Sequence, residues 1–233
     1  IVVAQDTSRY GTDLPGNKRL LPELLRQLCQ IEDLHWVRVH YVYPDEIDDE
    51  LIDVIAEEEK IVKYLDIPIQ HCNDAILKRM GRKTNKQQLI DKIEQLRAAI
   101  PDIALRTTLI TGFPGETQEQ HEELMEFIDE MEFDRLGVFT YSPEEDTPAA
   151  MMSDQIDEEI KQRRQEMLML AQIVDRYEGS NVAEQIAAGI TGGTPVMAID
   201  GSTPANNVEE TEALGGKEGA KEASGTKKAR ERR

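Results

Sequence analysis

The residues of this chain best equipped for chemistry sit where apolar runs end. Ile103–Ile110 mixes aliphatic and β-branched side chains, the composition of a strand buried on both faces, and Gly112-Phe113-Pro114-Gly115-Glu116 follows it. Thr117 and Gln120 then stand at capping-box spacing, which predicts the start of a helix. A strand that feeds a helix through a glycine-rich turn presents backbone N–H groups and a helix N-terminus, an arrangement able to receive an anion or a polar cofactor. Arg106 lies inside the strand. A guanidinium there is costly unless it meets a carboxylate such as Asp66 or projects from the mouth of the sheet. Other apolar runs end in the same way: Gln5 and Asp6 follow IVVA, Gln70 and His71 follow YLDIPI, and RLGVFTY leaves through Ser142.

The elements that must position these groups are legible from periodicity. Leu20, Leu21, Leu24, Leu25, Leu28 and Ile31 recur at helical spacing, with Pro22 in the first turn. Trp36–Tyr43 reads as a strand closed by Pro44, and Ile47, Leu51, Ile52 and Ile55 as a helix with an acidic outer face. In Tyr64–Ile69, a further strand, Pro68 demands an end or an irregularity. A short helix around Ile76, Leu77 and Met80 closes near Gly81, and Arg79, Arg82 and Lys83 are expected to cap it. Leu89, Ile90, Ile93, Leu96 and Ile100 mark the next helix, and Leu124, Phe127, Ile128 and Met131 another. After the strand Arg135–Tyr141, a long final helix is expected to turn Ile156, Ile160, Met167, Leu170, Ala171 and Val174 inward. This alternation with short connections predicts a parallel α/β sheet, either open and doubly wound or curved into a partial barrel.

Composition bounds the rest. With 46 acidic against 27 basic residues, the net charge of −19 argues against tight, purely electrostatic binding to nucleic acid or an anionic membrane. The only cysteines, Cys29 and Cys72, offer neither a disulfide framework nor a short-spaced metal pair, and no long apolar run suggests a membrane helix. A cytoplasmic setting is expected. Residues 1–178 read as the core domain, 179–200 as a linker with one strand-like stretch, and 201–233 as a tail too poor in apolar residues to fold. The chain opens in what reads as the middle of a strand, so a longer parent protein is expected.

Taken together, AQDTSRYG, YLDIPIQH, ILKRMGR, LRTTLITGFPGET and DRLGVFTYSPEEDTPAA resemble the radical S-adenosylmethionine methylthiotransferases over roughly residues 1–175. The AQDT exit resembles the RimO-type branch, which modifies an aspartate of small-subunit ribosomal protein S-twelve. The resemblance implies a partial (β/α) TIM-like barrel that holds S-adenosylmethionine beside a four-iron, four-sulfur cluster, with a second, auxiliary cluster in the complete enzyme. One electron from the first cluster would release a 5′-deoxyadenosyl radical, and an electron donor is implied. Gly112, Gly115 and Glu116 would line the adenosine region, and Arg106 would pair with the methionyl carboxylate. Gln70 and His71 would face the ribose or the reacting centre, Gln5 and Asp6 the methionyl amine, and Thr140, Tyr141 and Ser142 the adenine. Thr108 would join them.

One departure is plain. Neither Cys29 nor Cys72 matches the family's three-cysteine motif, so cluster ligands are expected outside this chain, which is expected to be inactive alone. Two other readings are compatible with the residues: the tRNA adenosine methylthiotransferase branch, and a non-catalytic barrel that binds S-adenosylmethionine or a ribosomal surface.

Overall fold

The middle strand shows how the sheet is built. In β2 (Ala104–Thr111), Leu105, Thr107, Leu109 and Thr111 point to one face and are wholly buried, while Arg106, Thr108 and Ile110 point to the other. The expectation of burial on both faces is corrected: the second face borders open clefts. The computed structural model describes residues 6–176; the expected first strand, the linker and the tail lie outside the described residues. β2 pairs in parallel with β1 (Tyr64–Gln70) on one side and β3 (Arg135–Thr140) on the other, in the order β1-β2-β3. Six α-helices accompany them among the described residues: α1 (Leu21–Cys29), α2 (Asp49–Glu57), α3 (Asp74–Arg79), α4 (Lys86–Ala99), α5 (Gln118–Met131) and α6 (Glu158–Arg176). The architecture is α/β, and every described strand pair is parallel.

Crossover helices follow the strands as parallel pairing requires, with α3 and α4 joining β1 to β2 and α5 joining β2 to β3. Their starts are locally encoded: Asn85 with Gln88, and Thr117 with Gln120, form complete capping boxes at α4 and α5. Apolar faces of α1, α2, α4, α5 and the covered face of the sheet merge into one core centred on Leu51, Ile55, Leu65, Leu96, Leu105, Leu109, Leu124 and Phe127. Pro68 sits where the pairing of β1 with β2 slips between Ile67 and Gln70, the irregularity that a proline in a strand requires.

Three expectations are corrected. Trp36–Tyr43 forms no strand; it makes one parallel bridge, Val37 to Ile61, and the Val42 N–H donates to the Asp66 carbonyl. Tyr41 at φ 61° breaks the extended run, and Trp36 is left 80% exposed. Ile31 lies beyond the end of α1 and is exposed. In α6, Ile160 and Leu170 are exposed, whereas Lys161, Arg164, Leu168 and Gln172 form the buried stripe. Helix α6 packs against β3, where Leu168 joins the main core and Lys161 and Arg164 meet polar partners.

Candidate cofactor site

The C-terminal edge of the sheet opens into a cleft of about 730 Å³ lined by Gln70, Thr108, Ile110, Phe113, Thr140, Tyr141 and Ser142, with Arg79 and Arg82 on its rim. Gln70 terminates β1 at φ 71°, an unusual conformation for a residue with a side chain. Its Oε1 atom and the Tyr141 hydroxyl are both buried without a partner. Two orphan polar groups bordering one cleft mark a place where a ligand can supply the missing hydrogen bonds. Phe113 and Tyr141 meet edge to face at 5.2 Å and join Ile76, Met80, Ala149 and Met152 in a second apolar cluster. The site thus has apolar support and few polar contacts, as small-molecule sites do.

Behind the Gly112–Glu116 turn the arrangement is different. Glu116 folds back so that its carboxylate accepts the Gly112 N–H at 2.6 Å, the Phe113 N–H at 3.3 Å, the Thr111 hydroxyl at 3.2 Å and Arg164 Nη1 at 3.1 Å. The Gly115 N–H donates to the Asp154 carbonyl and the Glu116 N–H to the Phe113 carbonyl. The turn's N–H groups are therefore taken by the chain itself, and the expectation of a backbone cradle for an outside anion is corrected. The anion at this turn is Glu116. Burial pushes its carboxyl up, while Arg164 and the hydrogen bonds act in the opposite direction.

Two histidines complete this buried cluster. His71 Nδ1 accepts the Asn73 N–H at 2.9 Å, leaving Nε2 as the protonated nitrogen of a neutral ring, 4.0 Å from Glu116. His121, from α5, places Nδ1 3.7 Å from the other carboxylate oxygen. Burial lowers both to about 4, with Arg164 adding to the effect at His121, so both rings are neutral near pH 7. Gly112 has φ 73°, and a Cβ there would collide with the Lys161 side chain of α6; one on Gly115, at φ 79°, would strike Arg79 and Asp154. These glycines let protein approach protein.

Of the residues singled out from sequence, Gln70, Thr108, Thr140, Tyr141 and Ser142 share the cleft. Arg106 faces an adjoining cleft of similar size and forks its Nη1 onto both oxygens of Asp66, at 2.9 and 2.8 Å. The register of β1 on β2 sets these two side by side on one face. His71, Gly112 and Glu116 lie in the sealed layer behind. Asp6 caps the turn Thr7–Arg9 through the Ser8 N–H, apart from the others, and Gln5 lies outside the described residues.

The expected capping cations find other work, because the main chain already closes α3: the Met80 N–H bonds Ile76 O and the Arg82 N–H bonds Leu77 O. Arg79 pairs with Asp154 at 2.7 Å, Lys83 lies 3.8 Å from Asp45, and Arg82 donates to Pro68 O. Sequence reasoning missed His121, Lys161 and Arg164. His121 is one helical turn beyond Thr117 on the inward face of α5, a spacing that could have found it; the buried cations of α6 carried no such signal.

The described residues contain no grouping of three or more His, Cys, Asp or Glu able to hold a metal ion. Cys29 is buried in the core, and burial pushes the Cys72 thiol up to about 12, far from the thiolate form that clusters require. No described helix is long and apolar enough to cross a membrane.

A family model described as the radical SAM superfamily matches residues 9–128. A relative from Lachnoclostridium phytofermentans named ribosomal protein uS12 methylthiotransferase RimO is 63% identical over 169 residues, 72% of this chain and 38% of its own length. Relatives of the same name from Clostridium botulinum and Alkaliphilus oremlandii are 58% and 54% identical over 172 residues. The chain spans well under half the length of these curated relatives, 38% of the first. With the family match covering more than half of its residues, and a parallel sheet whose C-terminal edge carries the cleft, the chain belongs to the radical SAM superfamily.

Proposed function

We propose that this chain is the core portion of a cytoplasmic methylthiotransferase that adds a methylthio group to an aspartate of ribosomal protein S-twelve. The observation that carries this reading is the 63% identity to a relative named for that protein substrate. Superfamily membership implies S-adenosylmethionine and an iron–sulfur cluster. The cleft fits the first of these, since the orphaned Gln70 Oε1 and Tyr141 hydroxyl offer an acceptor and a donor beside apolar walls. Once bound, S-adenosylmethionine supplies the radical chemistry for which the superfamily is named. The chain's own residues have other tasks. Gln70, Thr108, Thr140, Tyr141 and Ser142 would bind and orient it, Phe113 and Ile110 would exclude water, and the Arg106–Asp66 pair would fix the charge of the neighbouring face. An iron–sulfur cluster does not fit the described residues, whose two cysteines are buried, and the two clusters of the complete enzyme would take their ligands from elsewhere.

The reading is tested by titrating S-adenosylmethionine into this chain and into the full-length protein reconstituted anaerobically with iron and sulfide. Binding and 5′-deoxyadenosine release by the full-length protein, together with mass gain on ribosomal protein S-twelve, are expected. A full-length protein that assembles its cluster and yet leaves both S-adenosylmethionine and S-twelve unchanged would overturn it.

A further inference from the structure

Charge around the cleft runs against the charge of the chain. The protein carries 46 acidic and 27 basic residues, yet the cleft is lined by Arg79 and Arg82 and by no carboxylate. Arg79 is neutralised by both oxygens of Asp154. Arg82 is not. Its Nη2 donates to the carbonyl of Pro68, at the slip in β1, and its guanidinium stands 5.1 Å from the centre of the Tyr43 ring. Both partners are uncharged, and the remaining guanidinium N–H groups have no partner among the described residues.

The acids on the far side of Arg82 are already committed. Asp45 faces Lys83, Glu46 pairs with Arg19, and Asp6 caps its own turn. Arg106, the other candidate for an anion, is bound by Asp66. A guanidinium held in place by neutral groups, with its charge uncompensated and free N–H donors on a half-buried rim, is pre-organised for a fork-like bond to a carboxylate.

We propose that Arg82 is the residue that receives a carboxylate in this cleft, with the Tyr141 hydroxyl as a second donor. The inference rests on the cleft being the site of the methylthiotransferase reaction proposed above. A carboxylate can reach it from two sources there: the methionyl end of S-adenosylmethionine or the acidic side chain of the protein substrate.

Calorimetric titration of the reconstituted full-length protein separates the outcomes. The probes are S-adenosylmethionine, its decarboxylated analogue, and a peptide of ribosomal protein S-twelve carrying either the target aspartate or asparagine. If the cofactor supplies the carboxylate, Arg82→Gln weakens S-adenosylmethionine by about 10- to 100-fold and leaves the decarboxylated analogue unchanged. If the substrate supplies it, the same variant weakens the aspartate peptide and spares the asparagine peptide. Arg82→Lys, which keeps the charge and loses the fork, gives the same discrimination with a smaller loss, and it serves as the reading variant if Arg82→Gln does not fold. Wild-type binding that Arg82→Gln and Arg82→Lys leave intact, or that they weaken equally for probes with and without a carboxylate, overturns the inference and leaves the proposed reaction standing. A wild-type protein that binds none of the probes sinks both.

Discussion

The two sides of the Gly112–Glu116 turn use similar residue types to opposite ends. On the side facing α5 and α6, Glu116, Arg164, His71 and His121 are sealed from water, and the carboxylate is saturated by an arginine, a hydroxyl and two backbone N–H groups. On the side facing the cleft, Gln70, Tyr141 and Arg82 keep polar atoms without partners. The sealed side spends the Glu116 carboxylate on holding the turn, and although His71 Nε2, both ring nitrogens of His121 and Arg164 Nε are also without partners, none of these residues lines the cleft. The open side is held by backbone and aromatic neighbours and retains capacity. Access to the cleft, rather than residue type or partner count, separates the structural half of this sheet edge from the half available for binding.

The sharpest way to break the contrast is Arg164→Ala. It leaves the Glu116 charge buried with no cation and is expected to cost about 3–5 kcal/mol in urea denaturation. A loss below about 1 kcal/mol would mean that the sealed side is not held by this pair.

Acid should weaken the same side next. His71 and His121 titrate near 4 in the folded protein and near 6.5 when unfolded, so the unfolded chain binds more protons between these values. Stability is then fully present above about pH 6.5 and declines as the pH falls toward 4. Thermal melts at pH 7 and pH 5 are expected to show the decline, and His121→Gln to reduce it by roughly half, since one of the two titrating rings is gone. A pH-independent melting temperature across this window would contradict the buried neutral rings.

The smallest effect is expected on the open side. Arg82→Gln, which removes one hydrogen bond on a partly exposed rim, should cost less than about 1 kcal/mol in the same denaturation experiment. A loss as large as that of Arg164→Ala would erase the distinction between the two sides.

Much of this architecture could be read from the chain, for local reasons. The strands Tyr64–Gln70 and Arg135–Thr140 and the helices around Leu51, Leu96 and Phe127 carry periodic apolar residues whose burial needs no distant information. Trp36–Tyr43 has strand composition and still forms only a bridge, because pairing depends on neighbours and on the left-handed turn at Tyr41. In the site, Arg106 and Asp66 were foreseeable partners, since a guanidinium in a strand calls for an acid. Glu116 was seen as a site residue, but its role as the turn's own anion was not, because the fold-back depends on Arg164 arriving from α6.

The sequence by itself determined where elements begin and what each could bury. Thr117 and Gln120 specify the start of α5 within four residues of chain, and Pro68 specifies the slip in β1, because both act through the backbone next to them. Only the tertiary structure decided which charges are sealed and which remain available. Arg164 meets Glu116 across 48 residues of sequence, and Lys161 reaches the Tyr141 carbonyl across 20. A buried charge is stable only where its partner stands, and the partner's place is set by how α6 packs on β3, a long-range outcome that no local pattern encodes.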